Sequence, residues 1–77
     1  MTERQFNEAC KWANLQLKDW QVEQALECIN NRQPLPYDVK DILTEAMCEW
    51  CEDNDLPFEA WEQWGDIEDV FFNFDID

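Results

Sequence analysis

Wound at 100° per residue, Phe6, Ala9, Cys10, Ala13 and Leu17 fall within about 100° of arc, and apolar residues keep this helical spacing down to Phe74. Punctuation is scarce. The chain has one glycine, Gly65, and three prolines, Pro34, Pro36 and Pro57, and its β-branched residues are few and scattered. A short chain so patterned is confined to helices packed on one another. The expected fold is a small all-α single domain over residues 1–77, built of four to five short helices.

The spacing predicts helices over residues 2–17, 19–31, 38–52, 57–64 and 66–74. Thr2 followed by Gln5 reads as a capping box that opens the first. No Gly or Pro separates Leu17 from Val22, but a single straight helix would place Val22, Leu26 and Ile29 about 140–200° from Phe6. A restart at Asp19, acting as N-cap, lets both stripes face one core, so an αα-hairpin with a tight Lys18-Asp19 corner is expected. Asn30-Asn31 ends the second helix, and Gln33-Pro34-Leu35-Pro36-Tyr37 connects in extended form. Asp38 should cap the third helix, a longer amphipathic one. Pro57 should sit in the first turn of the fourth, which Gly65 closes, and Asp66 should cap the fifth.

Charge is divided unevenly along these helices. Residues 38–77 carry fourteen acidic side chains against Lys40 alone, so about −13 of the −14 net charge lies there, together with seven of the eleven aromatics. Five Trp and five Phe are more than a disordered acidic tail holds, and they supply a core to a chain whose stability margin is thin. The anionic surface should select positively charged partners and disfavour direct contact with nucleic acid or anionic membranes. No stretch has the ~18 apolar residues of a membrane span and the first residues lack a signal-peptide pattern, so a cytoplasmic location is expected.

The sharpest pattern lies on the third helix. Asp38, Asp41, Glu45, Glu49 and Glu52 are spaced 3, 4, 4 and 3, within about 80° of arc along about 21 Å. Like charges at i, i+4 repel, and only Lys40 is near enough to relieve them. The stripe is the candidate partner-binding surface, one that imitates the phosphate track of a nucleic acid. At roughly one charge per 4–5 Å it is sparser than duplex DNA, which carries one per ~1.7 Å. Glu59, Glu62, Asp66, Glu68 and Asp69 would have to extend it. The plainer alternative is a solvated face on an acidic protein. Phe58 and Trp61 are expected in the core. Trp64 and Phe72 fit a single apolar stripe less well and are candidate interface anchors.

No catalytic, cofactor-binding or metal-binding residues are expected. The chain has no His and no Ser, which removes His-based acid–base work and Ser–His–Asp chemistry. Cys48-Glu-Trp-Cys51 sits in the last turns of an acidic helix, which opposes a redox thiolate, and pairing it with the isolated Cys10 and Cys28 gives no compact zinc module. Packed free thiols are the expectation for all four cysteines. Asp53-Asn-Asp55 opens like a calcium loop, but Pro57, Phe58 and Trp64 occupy positions that a ligand, a turn glycine and the bidentate acid require.

The expected function is therefore a small acidic protein-binding module, in its sharpest form an inhibitor that mimics nucleic-acid phosphates on a basic, nucleic-acid-binding partner. In size and composition alone, with no motif behind it, the chain is similar to phage and mobile-element accessory proteins that block host nucleic-acid-binding machinery. The alternative is a structural or assembly subunit, a homo- or hetero-oligomer joined through exposed aromatics of the C-terminal helices. A third expectation treats residues 66–77 as an acidic-hydrophobic segment that docks into a partner's groove.

Overall fold

The computed structural model describes residues 1–72, the side chain of Phe72 excepted. It is all-α: α1 (Glu3–Asn14), α2 (Asp19–Asn30), α3 (Tyr37–Asp53), a 3-10 helix (Ala60–Trp64) and α4 (Ile67–Phe72). The expected ends of the last helix and the segment beyond it, residues 73–77, lie outside the described residues.

α1 begins as the sequence requires. The Gln5 N–H donates to Thr2 Oγ1 at 3.2 Å, and the Thr2 N–H donates to Gln5 Oε1 at 2.7 Å, which satisfies two of the N–H groups a helix start leaves open. The helix stops at Asn14, earlier than expected, so the corner is residues 15–18 rather than the Lys18-Asp19 step. Lys18, not Asp19, is the N-cap of α2. The reason is Gln21, whose Oε1 accepts the Lys18 N–H at 2.9 Å. Asp19 is thereby free to be the first helical residue, where its charge favours the helix dipole.

α1 and α2 follow one another across the short corner of residues 15–18, but the close packing lies elsewhere. α1 packs chiefly along α3, and α4 and the 3-10 helix also lie against α3, whereas α2 belongs to none of the close helix pairs. Small side chains decide this. Ala9, Cys10 and Ala13 let α1 approach the α3 face of Val39, Leu43, Ala46, Met47 and Cys51, and all eight are buried. α2 buries only Gln21 and Ala25, while Val22, Leu26 and Ile29 stay half-buried at the edge of the core.

α3 starts one residue before its expected cap, with Pro36 at the N-cap and Asp38 in the first turn. Asp38 Oδ2 accepts from Gln21 Nε2 at 3.3 Å, a polar tie between the starts of α2 and α3. Both helices end in the same motif. After α2 the Arg32 N–H donates to the Ile29 carbonyl and Gln33 to Cys28, and after α3 Asp55 donates to Glu52 and Leu56 to Cys51. The residue in the left-handed region, glycine in most such ends, is Arg32 in one and Asp55 in the other, each at φ 56.

The segment after α3 departs most from expectation. Residues 57–64, expected as an α-helix, hold only the five-residue 3-10 helix Ala60–Trp64, and Phe58, expected in the core, lies before it and is 63% exposed. Too few turns remain to carry both Phe58 and Trp61 inward. Trp61 is buried as expected, and so are Ile67, Val70 and Phe71 of α4. Gly65 joins the two elements at φ 148, and the Asp66 N–H donates to Asp69 Oδ2 at 3.0 Å.

Candidate functional site

The five stripe acids of α3, Asp38, Asp41, Glu45, Glu49 and Glu52, are all exposed, as the 3, 4, 4, 3 spacing requires of a helix whose opposite arc is the core. Four of them, Asp41, Glu45, Glu49 and Glu52, line one open groove of about 610 Å³. Ile42 and Ala46 form apolar parts of its wall, and the exposed Phe58, from the segment after α3, also lines it. Gln16, from the corner after α1, closes another side. The lining contains no Lys or Arg. Asp38, the fifth member of the stripe, is outside this groove and bonded to Gln21.

A second hollow adjoins the first at Thr44 and holds Glu62, Asp66 and Glu68. Lys40 lies here, not in the first groove, and its Nζ is 3.6 Å from Glu68 Oε1. The one base of the acidic half is therefore engaged away from the stripe. Glu62 does reach the stripe electrostatically. Burial pushes the Cys48 thiol above its usual range, Cys51 adds to this, and Glu62 and Glu45 both raise it further, while the neighbouring Trp61 acts in the opposite sense. Glu45 and Glu62 thus share the field around Cys48.

The supporting residues separate into groups. Glu62 and Asp66 continue the acidic surface across Thr44. Glu59 is exposed but lines neither hollow. Asp69 is exposed, and one of its carboxylate oxygens holds the Asp66 N–H at the start of α4. Trp64 is 43% exposed, but its ring stacks on Phe6 at 5.8 Å and its indole N–H donates to the Met1 carbonyl at 3.3 Å. It clips the N-terminus to the 3-10 helix, which leaves less of it for a partner. The side chain of Phe72, the other candidate anchor, lies outside the described residues.

Sequence reasoning missed Phe58, Ile42 and Gln16 as parts of the groove. Phe58 carried a usable signal. It follows Pro57 directly and stands only three residues from Trp61, so a short element could bury just one of the two.

All four cysteines are free thiols. Burial raises the Cys10 thiol to about 12 and also raises Cys51, so neither is poised as a nucleophile. Among the described residues no three His, Cys, Asp or Glu side chains are gathered as a metal site, and no helix is long and apolar enough to cross a membrane. No protein-family profile, no characterised protein and no solved structure matches the chain.

Proposed function

We propose that this chain is a small acidic protein-binding module whose α3 groove engages a basic segment of another protein. The observation that carries the proposal is one groove lined by Asp41, Glu45, Glu49 and Glu52, free of Lys and Arg, with an exposed aromatic ring on its rim. A cationic segment would place Lys or Arg against the acids and an apolar side chain against Phe58 and Ile42. Charge then steers the encounter, and the ring supplies the desolvated contact that anchors it. The groove is open and its acids lack the buried orienting partners of a catalytic site, which favours binding over catalysis.

In its sharper form the partner is a nucleic-acid-binding protein and this chain is its inhibitor. The five stripe acids of α3 lie along about 21 Å of helix, roughly one charge per 4–5 Å, nearer the 3.4 Å per charge of a single DNA strand than the ~1.7 Å of the duplex. Glu62 and Asp66 add charge beside them. The partner's cationic track is the natural complement of such a row.

The test is capture of partners from a cell extract on the tagged protein, with washes at low and high salt, beside the D41N/E45Q/E49Q variant. A basic protein that is lost at high salt, and lost from the variant, is the expected result. Titration of this chain into that protein's nucleic-acid complex should then release the nucleic acid. A partner held equally by the variant and at high salt would remove the proposal. Release of the partner by the variant without displacement of nucleic acid would retain the binding surface and remove the mimicry.

A further inference from the structure

α1, α4 and the 3-10 helix all rest on the buried face of α3, and among the described residues no helix covers the opposite face. That outer face is mixed rather than purely acidic. The half-buried Ile42 and the small, buried Ala46 share one hollow with the carboxylates, and the exposed Phe58 lines it too. Its apolar share calls for a partner that carries apolar side chains beside its charges. Its charge calls for cations, since no lining residue is Lys or Arg and Lys40 is paired with Glu68.

The spacing of the acids bears on the backbone form of that partner. Asp41, Glu45, Glu49 and Glu52 stand on one helix, so they follow one another at about 6, 6 and 4.5 Å along its axis, about 16–17 Å in all. A second helix with bases at i, i+4, i+8 and i+11 repeats these intervals. Having the same rise per residue, it stays in register along the whole row when it lies nearly parallel or antiparallel to α3. An extended segment spaces the side chains of one face by about 6.6–6.8 Å, and over the same three intervals it overruns the row by about 3–4 Å. A helix also sets apolar residues beside its basic row, for contact with Ile42 and Phe58. Resting on the α3 groove as the site for a basic protein, we propose that the segment bound there is an amphipathic α-helix lying along α3, with one base per turn against Asp41, Glu45, Glu49 and Glu52.

Three synthetic peptides separate the helix from the groove it rests on. Each is Ala-rich and about sixteen residues long, enough to form a helix in isolation or on binding. The first sets Arg at i, i+4, i+8 and i+11 with Leu beside that row. The second has the same composition with its Arg residues spread around the helix. The third is the first with Pro at its centre, which breaks the helix. Each is titrated calorimetrically into the full chain at low salt, and into the D41N/E45Q/E49Q variant, whose exchanges lie at exposed positions. The first peptide should bind at least about tenfold more tightly than the other two, gain helicity on binding by circular dichroism, and lose its advantage against the variant. Equal affinity of all three overturns the helix and leaves the groove a site for basic segments of any form. Binding of none overturns the helix and the groove together. A preference for the first peptide that the variant retains places its contacts elsewhere and overturns the alignment along α3.

Discussion

Glu45 sits between two like-charged neighbours on α3, Asp41 one turn before it and Glu49 one turn after, and all three are exposed. Each such i, i+4 pair costs about 0.2–0.5 kcal/mol, so Glu45→Gln, which removes both at once, should stabilise the protein by about 0.4–1 kcal/mol. Glu and Gln have nearly equal helix propensity, so the exchange isolates charge. For a domain of this size the gain corresponds to a rise in Tm of roughly 2–8 °C. Glu52→Gln should stabilise by a similar amount, because its carboxylate lies in the last turn, against the negative end of the helix dipole. Asp38→Asn should do the reverse and cost about 0.5–1 kcal/mol, because Asp38 lies in the first turn and accepts from Gln21. Thermal melts followed by circular dichroism at low salt resolve these signs. In ~1 M salt, where the Debye length is about 3 Å, the Glu45→Gln gain should shrink. If Glu45→Gln lowers Tm or leaves it unchanged at low salt, the stripe carries no repulsive strain and the reasoning fails.

Two backbone positions with positive φ should respond with opposite signs. Gly65→Ala puts a Cβ against the Asp69 carboxylate, 2.7 Å from its Cβ, at φ 148, and should destabilise by about 2 kcal/mol in denaturant melts. Asp55→Gly, at φ 56, relieves a residue that ends α3 in the left-handed region and should raise the denaturation midpoint by the equivalent of about 0.5–1 kcal/mol. The Cys10 thiol is raised from 9.0 to about 12 by burial, so the folded state keeps its proton where the unfolded chain loses it. Its contribution is intact below pH 9 and is lost as pH rises from there toward 12. Stability should therefore fall in that window, and the fall should be shallower in Cys10→Ala.

How far the sequence can be read depends on how many residues vote on each feature. The α3 stripe is fixed by five acids and the apolar residues between them, all obeying one period, so its exposure followed from spacing alone. Gln5 could satisfy Thr2 only in a helical first turn, which made the start of α1 equally legible. The corner before α2 was misplaced because its outcome turns on one side chain. Gln21 reaches back to Lys18 and across to Asp38, and no local propensity announces a bond that spans seventeen residues. Helical spacing points Phe58 inward, but the segment has room only for a 3-10 turn, which leaves it exposed. The groove itself was illegible for a related reason. Its acids come from α3, but Phe58 and Gln16 reach it through tertiary packing that periodicity does not encode.

The distribution of the few cations bears on what the acidic face is for. α3 is the helix on which α1, α4 and the 3-10 helix rest, so repulsion along it weakens the element the fold most depends on. In a chain of 77 residues that margin is narrow. One Lys at Thr44, an exposed position beside Glu45 and in both hollows, would relieve the stripe with no change to the core. The chain instead holds Lys40 against Glu68 and leaves Lys11, Lys18 and Arg32 on the α1–α2 side. Solubility alone needs net charge, not its segregation onto the central helix. Thr44→Lys separates the two uses. If the face only solvates, the variant gains stability and loses nothing. If the face binds a basic partner, the same variant gains stability while its affinity falls, most steeply at low salt. Calorimetric titration of the captured partner against the Thr44→Lys protein reads that difference, and unchanged affinity would return the stripe to a solvated surface.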